Sequence, residues 1–158
     1  GLPPARLLRR EIRPPTPAEA RALRLRDGDA VVALVRVRLA DAEPLAIEAV
    51  ALQGACAPAA MGADLETGSL HDALAAAGFV PARGRATISA EAAGDEDARL
   101  LGVATGSPLL VERRVIVDLG GRPLETTTSR YPADRYALDV DFEVEAARER
   151  ASRRRTAH

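Results

Sequence analysis

The sequence holds one cysteine, Cys56, and two histidines, His71 and His158. A lone thiol closes no intrachain disulfide, and three such residues make neither a cysteine framework nor a Cys-rich zinc site. A reducing, cytoplasmic setting is therefore expected, with no metal and no cofactor. Lysine and tryptophan are absent: all 22 basic residues are arginine, and two Tyr and two Phe are the only six-membered aromatic rings. So few rings argue against the stacking platforms that hold single-stranded nucleic acid. The 22 bases meet 23 acids, for a formal net charge of -1, so no global field draws the chain onto DNA or anionic lipid. No apolar run approaches the roughly 20 residues of a membrane helix, and the N-terminus lacks the order of a signal peptide. What is present is small and aliphatic. Hydrophobic residues make up 47% of the chain and 33 residues are alanine, so the core must be built from Leu, Val and Ala. A length of 158 residues supports one core, hence one domain. The chain starts at Gly1 rather than Met, and a further segment upstream is expected.

Local patterns divide the chain into short elements. Leu7 to Ile12 reads as a strand stopped by Pro14 and Pro15. Thr16, Pro17 and Glu19 have the spacing of a capping box and open a helix to about Leu25, with Gly28 in the turn beyond. Ala30 to Leu39 and Pro44 to Leu52 are β-branched runs about a polar turn, an antiparallel hairpin. Residues 55–65 carry no clear pattern. Ser69 caps a helix that Gly78 closes. Arg85 to Ala92 alternates as a strand, with Ala86, Ile88 and Ala90 on one face, and Asp95 to Leu101 is a short helix. Pro108 to Asp118 and Pro123 to Tyr131 form a second hairpin about a two-residue Gly120-Gly121 turn. Tyr136 to Val144 reads as a last strand, followed by an Arg-rich, solvated tail over 145–158.

Two constellations could carry chemistry. Period-two geometry puts Arg36 and Arg38 on one strand face, and a hairpin folded about Ala42 sets Glu48 across from Arg36 on that face. Guanidinium forks beside a carboxylate suit an anionic or hydroxyl-bearing ligand; a surface ion pair is the plainer alternative. In the second hairpin, Leu119 opposite Arg122 puts Ile116 against Glu125, Arg114 against Thr127 and Glu112 against Ser129. Glu125, Thr127, Ser129 and Tyr131 then share a polar stripe that either lines a pocket or wets the outside of a sheet. Ser69 offers a helix N-terminus to an anion, or merely caps it. His71 reads as a helix-surface or ligand-orienting residue. No nucleophile and base pair and no phosphate loop stands out, so no catalytic residue is assigned.

The order and spacing of several stretches, Leu34 to Arg38 with "DAEPLAIE", "GSLHDAL" at Gly68 to Leu74, "LLGVATGSP" at Leu100 to Pro108, and "LVERRVIVDLGGRPLETTTSRYPADRY" at Leu110 to Tyr136, resemble the UTRA domain. That domain is the effector-binding half of HutC-subfamily regulators in the GntR family. The resemblance covers 1–144 and implies an α+β, chorismate lyase-like fold: a mainly antiparallel sheet with flanking helices and a buried pocket. Carried over by position, the pocket would be lined by Arg36, Arg38, Glu48, Ser69, His71, Glu125 and Tyr131, with Thr127 and Ser129 beside them. His71 stands where the family commonly has a bulkier aromatic. The implied partners are a small anionic effector such as a sugar phosphate or organic acid, and a second copy in a homodimer. DNA would be reached only through a winged helix-turn-helix domain that this chain does not contain. A chorismate lyase-like enzyme acting on a small aromatic or carboxylic acid is the alternative, since fold alone does not separate the two.

Overall fold

The computed structural model describes residues 4–145. Strand β1 (Ala5–Arg13) leads into helix α1 (Pro17–Leu23), whose capping box is complete: Glu19 N donates to Thr16 Oγ1 at 3.2 Å and Thr16 N to the Glu19 carboxylate at 2.8 Å. The helix ends two residues earlier than the pattern suggests, because Arg24 adopts a left-handed conformation and its N–H returns to the Ala20 and Arg21 carbonyls. Strands β2 (Val31–Ala40) and β3 (Glu43–Gln53) form the first hairpin, with Arg36 opposite Glu48. The patternless 55–65 stretch proves to hold a 3-10 turn and helix α2 (Ala57–Gly62). Helix α3 (Leu70–Ala76) follows, then β4 (Arg83–Ala92), α4 (Asp95–Leu101), β5 (Pro108–Val117) and β6 (Pro123–Pro132).

All six strands join one antiparallel sheet in the order β1-β2-β3-β6-β5-β4, the α+β architecture expected. Alternation gives each strand two faces. On one, Val32, Leu34, Val50 and Leu52 pack under α2 and α3 through Ala60, Leu70 and Leu74. On the other, α1 covers Val31 and Ala51 at one end, while α4 covers Val37, Ile47, Leu109 and Val111 at the other. Nearly all of these side chains are Leu, Val, Ile or Ala, as the composition requires. No helix among the described residues is long and apolar enough to cross a membrane.

Three expectations need correction. The second hairpin does not turn on two residues: Asp118 N donates to the Arg122 carbonyl at 2.9 Å and Gly121 N to the Asp118 carbonyl at 3.0 Å, closing a loop of Leu119, Gly120 and Gly121. Gly121 sits at φ 83°, which a side chain would oppose. The extra loop residue is compensated by a shift between Ile116 and Val117, so Ile116 still meets Glu125 and the polar stripe keeps its register. The alternation of β4 is present, but neither face is buried, because β4 is an edge strand and none of its residues joins a buried apolar cluster among the described residues. Finally, Tyr136 to Val144 forms no strand. Strand β6 lies between β3 and β5, so the chain leaving it has no free edge alongside to join. The Arg-rich tail expected over 145–158 lies outside the described residues after Glu145.

Candidate functional site

Four strands and one helix start converge where the hydrophobic face under α3 gives way to charge. Along β2 the inward series Val32, Leu34 continues as Arg36 and Arg38, and along β3 the series Leu52, Val50 continues as Glu48. Strand β6 lies against β3 with Ser129 beside Glu48, Thr127 beside Val50 and Glu125 beside Leu52. Strand β5 adds Arg114 opposite Thr127. Over them stands the start of α3, with Ser69, Leu70 and His71. Together Arg36, Arg38, Glu48, Val50, Ser69, Leu70, His71, Arg114 and Glu125 enclose a cavity of about 150 Å³. That is below the roughly 300–1,000 Å³ of drug-sized pockets, and suits a small polar molecule.

Arg36 is 5% exposed. One terminal nitrogen donates to the Leu65 carbonyl at 3.2 Å, the other to Glu48 at 3.0 Å. Arg38, nearer solvent, stands 3.5 Å from the second Glu48 oxygen, so one carboxylate bridges two guanidinium groups. Glu125 is 1% exposed and accepts from Thr127 Oγ1 at 2.6 Å, lies 3.5 Å from Arg114, and meets His71 Nε2 at 2.7 Å. The hydrogen bond to Glu125 raises the His71 pKa above its ordinary range, against the opposing effect of burial. Burial pushes Glu125 upward, yet the bonds from His71 and Thr127 and the charges of His71 and Arg114 hold it below the usual carboxylate range. Glu125 is thus an anion, and Nε2–H of His71 donates to it.

Two groups in this array are left over. The Nε atoms of Arg36 and Arg114 are buried and have no hydrogen-bond partner among the described residues. A buried donor without a partner costs on the order of 1–3 kcal/mol, and both arginines belong to the cavity lining. Three guanidinium groups face two carboxylates within the lining; Glu112, 3.7 Å from Arg114, offsets that arginine from outside it. Among the described residues, no group of three His, Cys, Asp or Glu side chains is placed to hold a metal ion.

Of the residues singled out from sequence, Arg36, Arg38, Glu48, Ser69, His71 and Glu125 come together on the cavity. Ser69 Oγ is occupied in accepting from Asp72 N at 3.2 Å, the capping role. Thr127 and Ser129 are buried but lie behind the lining, where Thr127 steadies Glu125. Tyr131 stacks on Tyr136 with ring centroids 4.1 Å apart; burial raises its pKa, partly countered by its bond to Ser129. The stripe on β6 therefore faces the interior, not solvent. Arg114 was missed as a lining residue. Its register opposite Thr127 was legible, and since residues opposite each other share a face, that pairing is the signal that could have found it.

Comparison with known proteins bears on the fold and the family. The UTRA domain model matches residues 2–137. The ligand-binding domain of a protein assigned to the GntR family of transcriptional regulators, from Bordetella bronchiseptica, superposes with a TM-score of 0.80 at 30% identity, covering 90% of this chain and 92% of that one. The C-terminal domain of the histidine utilization repressor from Pseudomonas syringae gives 0.78 at 21% identity, over 89% and 98%. PhnF from Mycobacterium smegmatis gives 0.81 at 22% identity; 89% of this chain is covered but only 63% of PhnF. The chain belongs to the UTRA domain family, the effector-binding domain of GntR-family transcriptional regulators.

Proposed function

We propose that this chain is the sensing domain of a homodimeric transcriptional regulator, and that a small anionic metabolite binds among Arg36, Arg38, Ser69, His71 and Arg114. The observation that carries the reading is that Arg36 and Arg114, two of the three arginines lining one small cavity, each keep a buried Nε donor without a partner among the described residues. A carboxylate or phosphoryl oxygen would accept from both, and charge-assisted bonds of this kind are about twice as strong as neutral ones. Glu48 and Glu125 would take hydroxyl groups on the rest of the molecule. In this reading the domain is a sensor and not an enzyme, in keeping with the regulator domain it resembles. Occupancy would shift a two-state equilibrium in the dimer and so reposition winged-helix domains joined to it. DNA would be contacted only by those domains.

The test is a thermal-shift and calorimetric panel of inorganic phosphate, sugar phosphates, urocanate and neutral sugars. Stabilisation by anionic members that is lost in Arg38→Ala, with its fold intact by circular dichroism, is expected. Equal response to neutral and anionic members, or full binding by Arg38→Ala, would overturn the assignment.

A further inference from the structure

The sheet face that carries the cavity runs on beyond it. Opposed residues form rows across β3, β6, β5 and β4: Leu52, Glu125, Ile116 and Gly84 make one row, and Val50, Thr127, Arg114 and Ala86 the next. Residues opposed across neighbouring strands share a face, so Ile116, Gly84 and Ala86 lie on the cavity's side of the sheet, about 5–10 Å past Glu125 at the usual strand spacing. Ile116 belongs to none of the buried apolar clusters among the described residues. Together with Pro81 and Ala82 these residues line a groove of about 360 Å³, more than twice the volume of the cavity. Its β4 side carries nothing larger than a methyl group. At Gly84 even that would crowd the sheet, since a Cβ there would stand 3.1 Å from the Val115 carbonyl oxygen and 3.3 Å from Ile116 Cγ1. The glycine thus leaves Ile116 uncovered.

One residue belongs to both spaces. Arg114 lines the groove and the cavity, and it is loosely held. Its terminal nitrogens stand 3.5 Å from Glu125 and 3.7 Å from Glu112, its Nε has no partner among the described residues, and its side chain is 35% exposed. Arg36, in contrast, donates at 3.0 and 3.2 Å. Arg114 is therefore the movable part of the wall: a change of side-chain rotamer gives up two long contacts and joins cavity to groove.

The geometry points to a two-part ligand site, in which the cavity holds an anionic head and the groove takes a flat, apolar arm lying past Arg114 on Gly84, Ala86 and Ile116. This rests on the anion-binding reading above and names what the ligand carries besides its charge. The lining chooses the chemistry. Arg83, Arg85 and Arg114 are the only polar side chains along the groove, so a polyhydroxylated arm would leave water without side-chain acceptors to replace it. A ring, however, can lie on a surface of Gly, Ala and Ile, and the guanidinium plane of Arg114 at the junction can stack on its face.

Two probe pairs test this by calorimetry: methyl phosphate with phenyl phosphate, and acetate with phenylacetate. In at least one pair the ring-bearing member should bind the wild-type chain about tenfold or more tightly than its partner, the scale of taking a ring from water onto an apolar surface. Ala86→Trp, at an exposed position of the edge strand, should erase that advantage and leave methyl phosphate or acetate binding unchanged, whereas Arg38→Ala should weaken every member. The chain has four isoleucines, so a methyl-labelled spectrum gives a second readout on the wild-type protein: the ring should shift the Ile116 signal and leave Ile12 and Ile47 in place. Equal affinities within both pairs, an advantage that survives Ala86→Trp, or an unmoved Ile116 overturns the arm and leaves the anion site standing. Ring-bearing probes that bind Arg38→Ala as tightly as wild type overturn the joined site, because the ring then binds without the cavity. If no anion binds the wild-type chain, both readings fall.

Discussion

Replacing Arg36 with Met separates what this residue does for the fold from what it does for a ligand. The Arg36 side chain is 6% exposed, and the Glu48 side chain it meets is 13% exposed, so the substitution strands a carboxylate in a poorly solvated place and removes the donor to the Leu65 carbonyl. Breaking a buried pair by removing one partner typically costs 3–5 kcal/mol. Arg38, 3.5 Å from the other Glu48 oxygen, retains part of the compensation, so about 3 kcal/mol is expected. For a domain of this size that corresponds to a fall in Tm of roughly 6–12 °C. The double variant Arg36→Met/Glu48→Leu should regain most of the loss, because two apolar side chains of similar volume carry no desolvation cost. Urea denaturation of the four proteins of the cycle, with unchanged m-values, measures the coupling. A single-variant loss below about 1 kcal/mol, or a double variant as unstable as Arg36→Met, would refute the view of Arg36 and Glu48 as a coupled buried pair. Phosphate or sugar-phosphate binding, in contrast, should be lost in both variants.

The His71 and Glu125 pair makes stability depend on pH. The folded His71 pKa lies above its ordinary 6.5, so its contribution is full below that value and is lost as pH rises through the raised one; Glu125, held below 4.5, contributes above 4.5 and is lost as pH falls through its lowered value. The stability difference between wild type and His71→Ala should therefore be greatest at about pH 4.5–6.5 and shrink above it in urea titrations; a pH-independent difference would count against the pair. Thr16→Ala removes one half of the capping box and should cost about 1 kcal/mol, a Tm drop of some 2–4 °C by calorimetry. Leu74→Ala, at a fully buried position under the sheet, should cost 2–5 kcal/mol. Arg122→Ala, at the exposed hairpin loop with one bond to Gln53, should change stability by less than about 1 kcal/mol and leave anion binding intact.

Much of this architecture is written in local pattern, because a strand's period of two and a helix's cap are decided by near neighbours. Arg36 and Glu48 could be set opposite each other from the position of one turn, and the β6 stripe could be registered against β5 even though its turn was misjudged, since the bulge after Pro123 cancels the extra loop residue. Which face of that stripe is buried was not legible. Alternation says that Glu125, Thr127 and Ser129 share a side; only the placement of α3 above them, and of β6 in the middle of the sheet, makes that side the interior. The same holds for Arg114, whose membership of the cavity depends on β5 lying two strands from β3. It holds in reverse for residues 137–145, whose sequence specifies a strand but not a neighbour. Periodicity is a property of the segment. Burial and pairing belong to whatever the rest of the fold, or a second copy of it, places alongside.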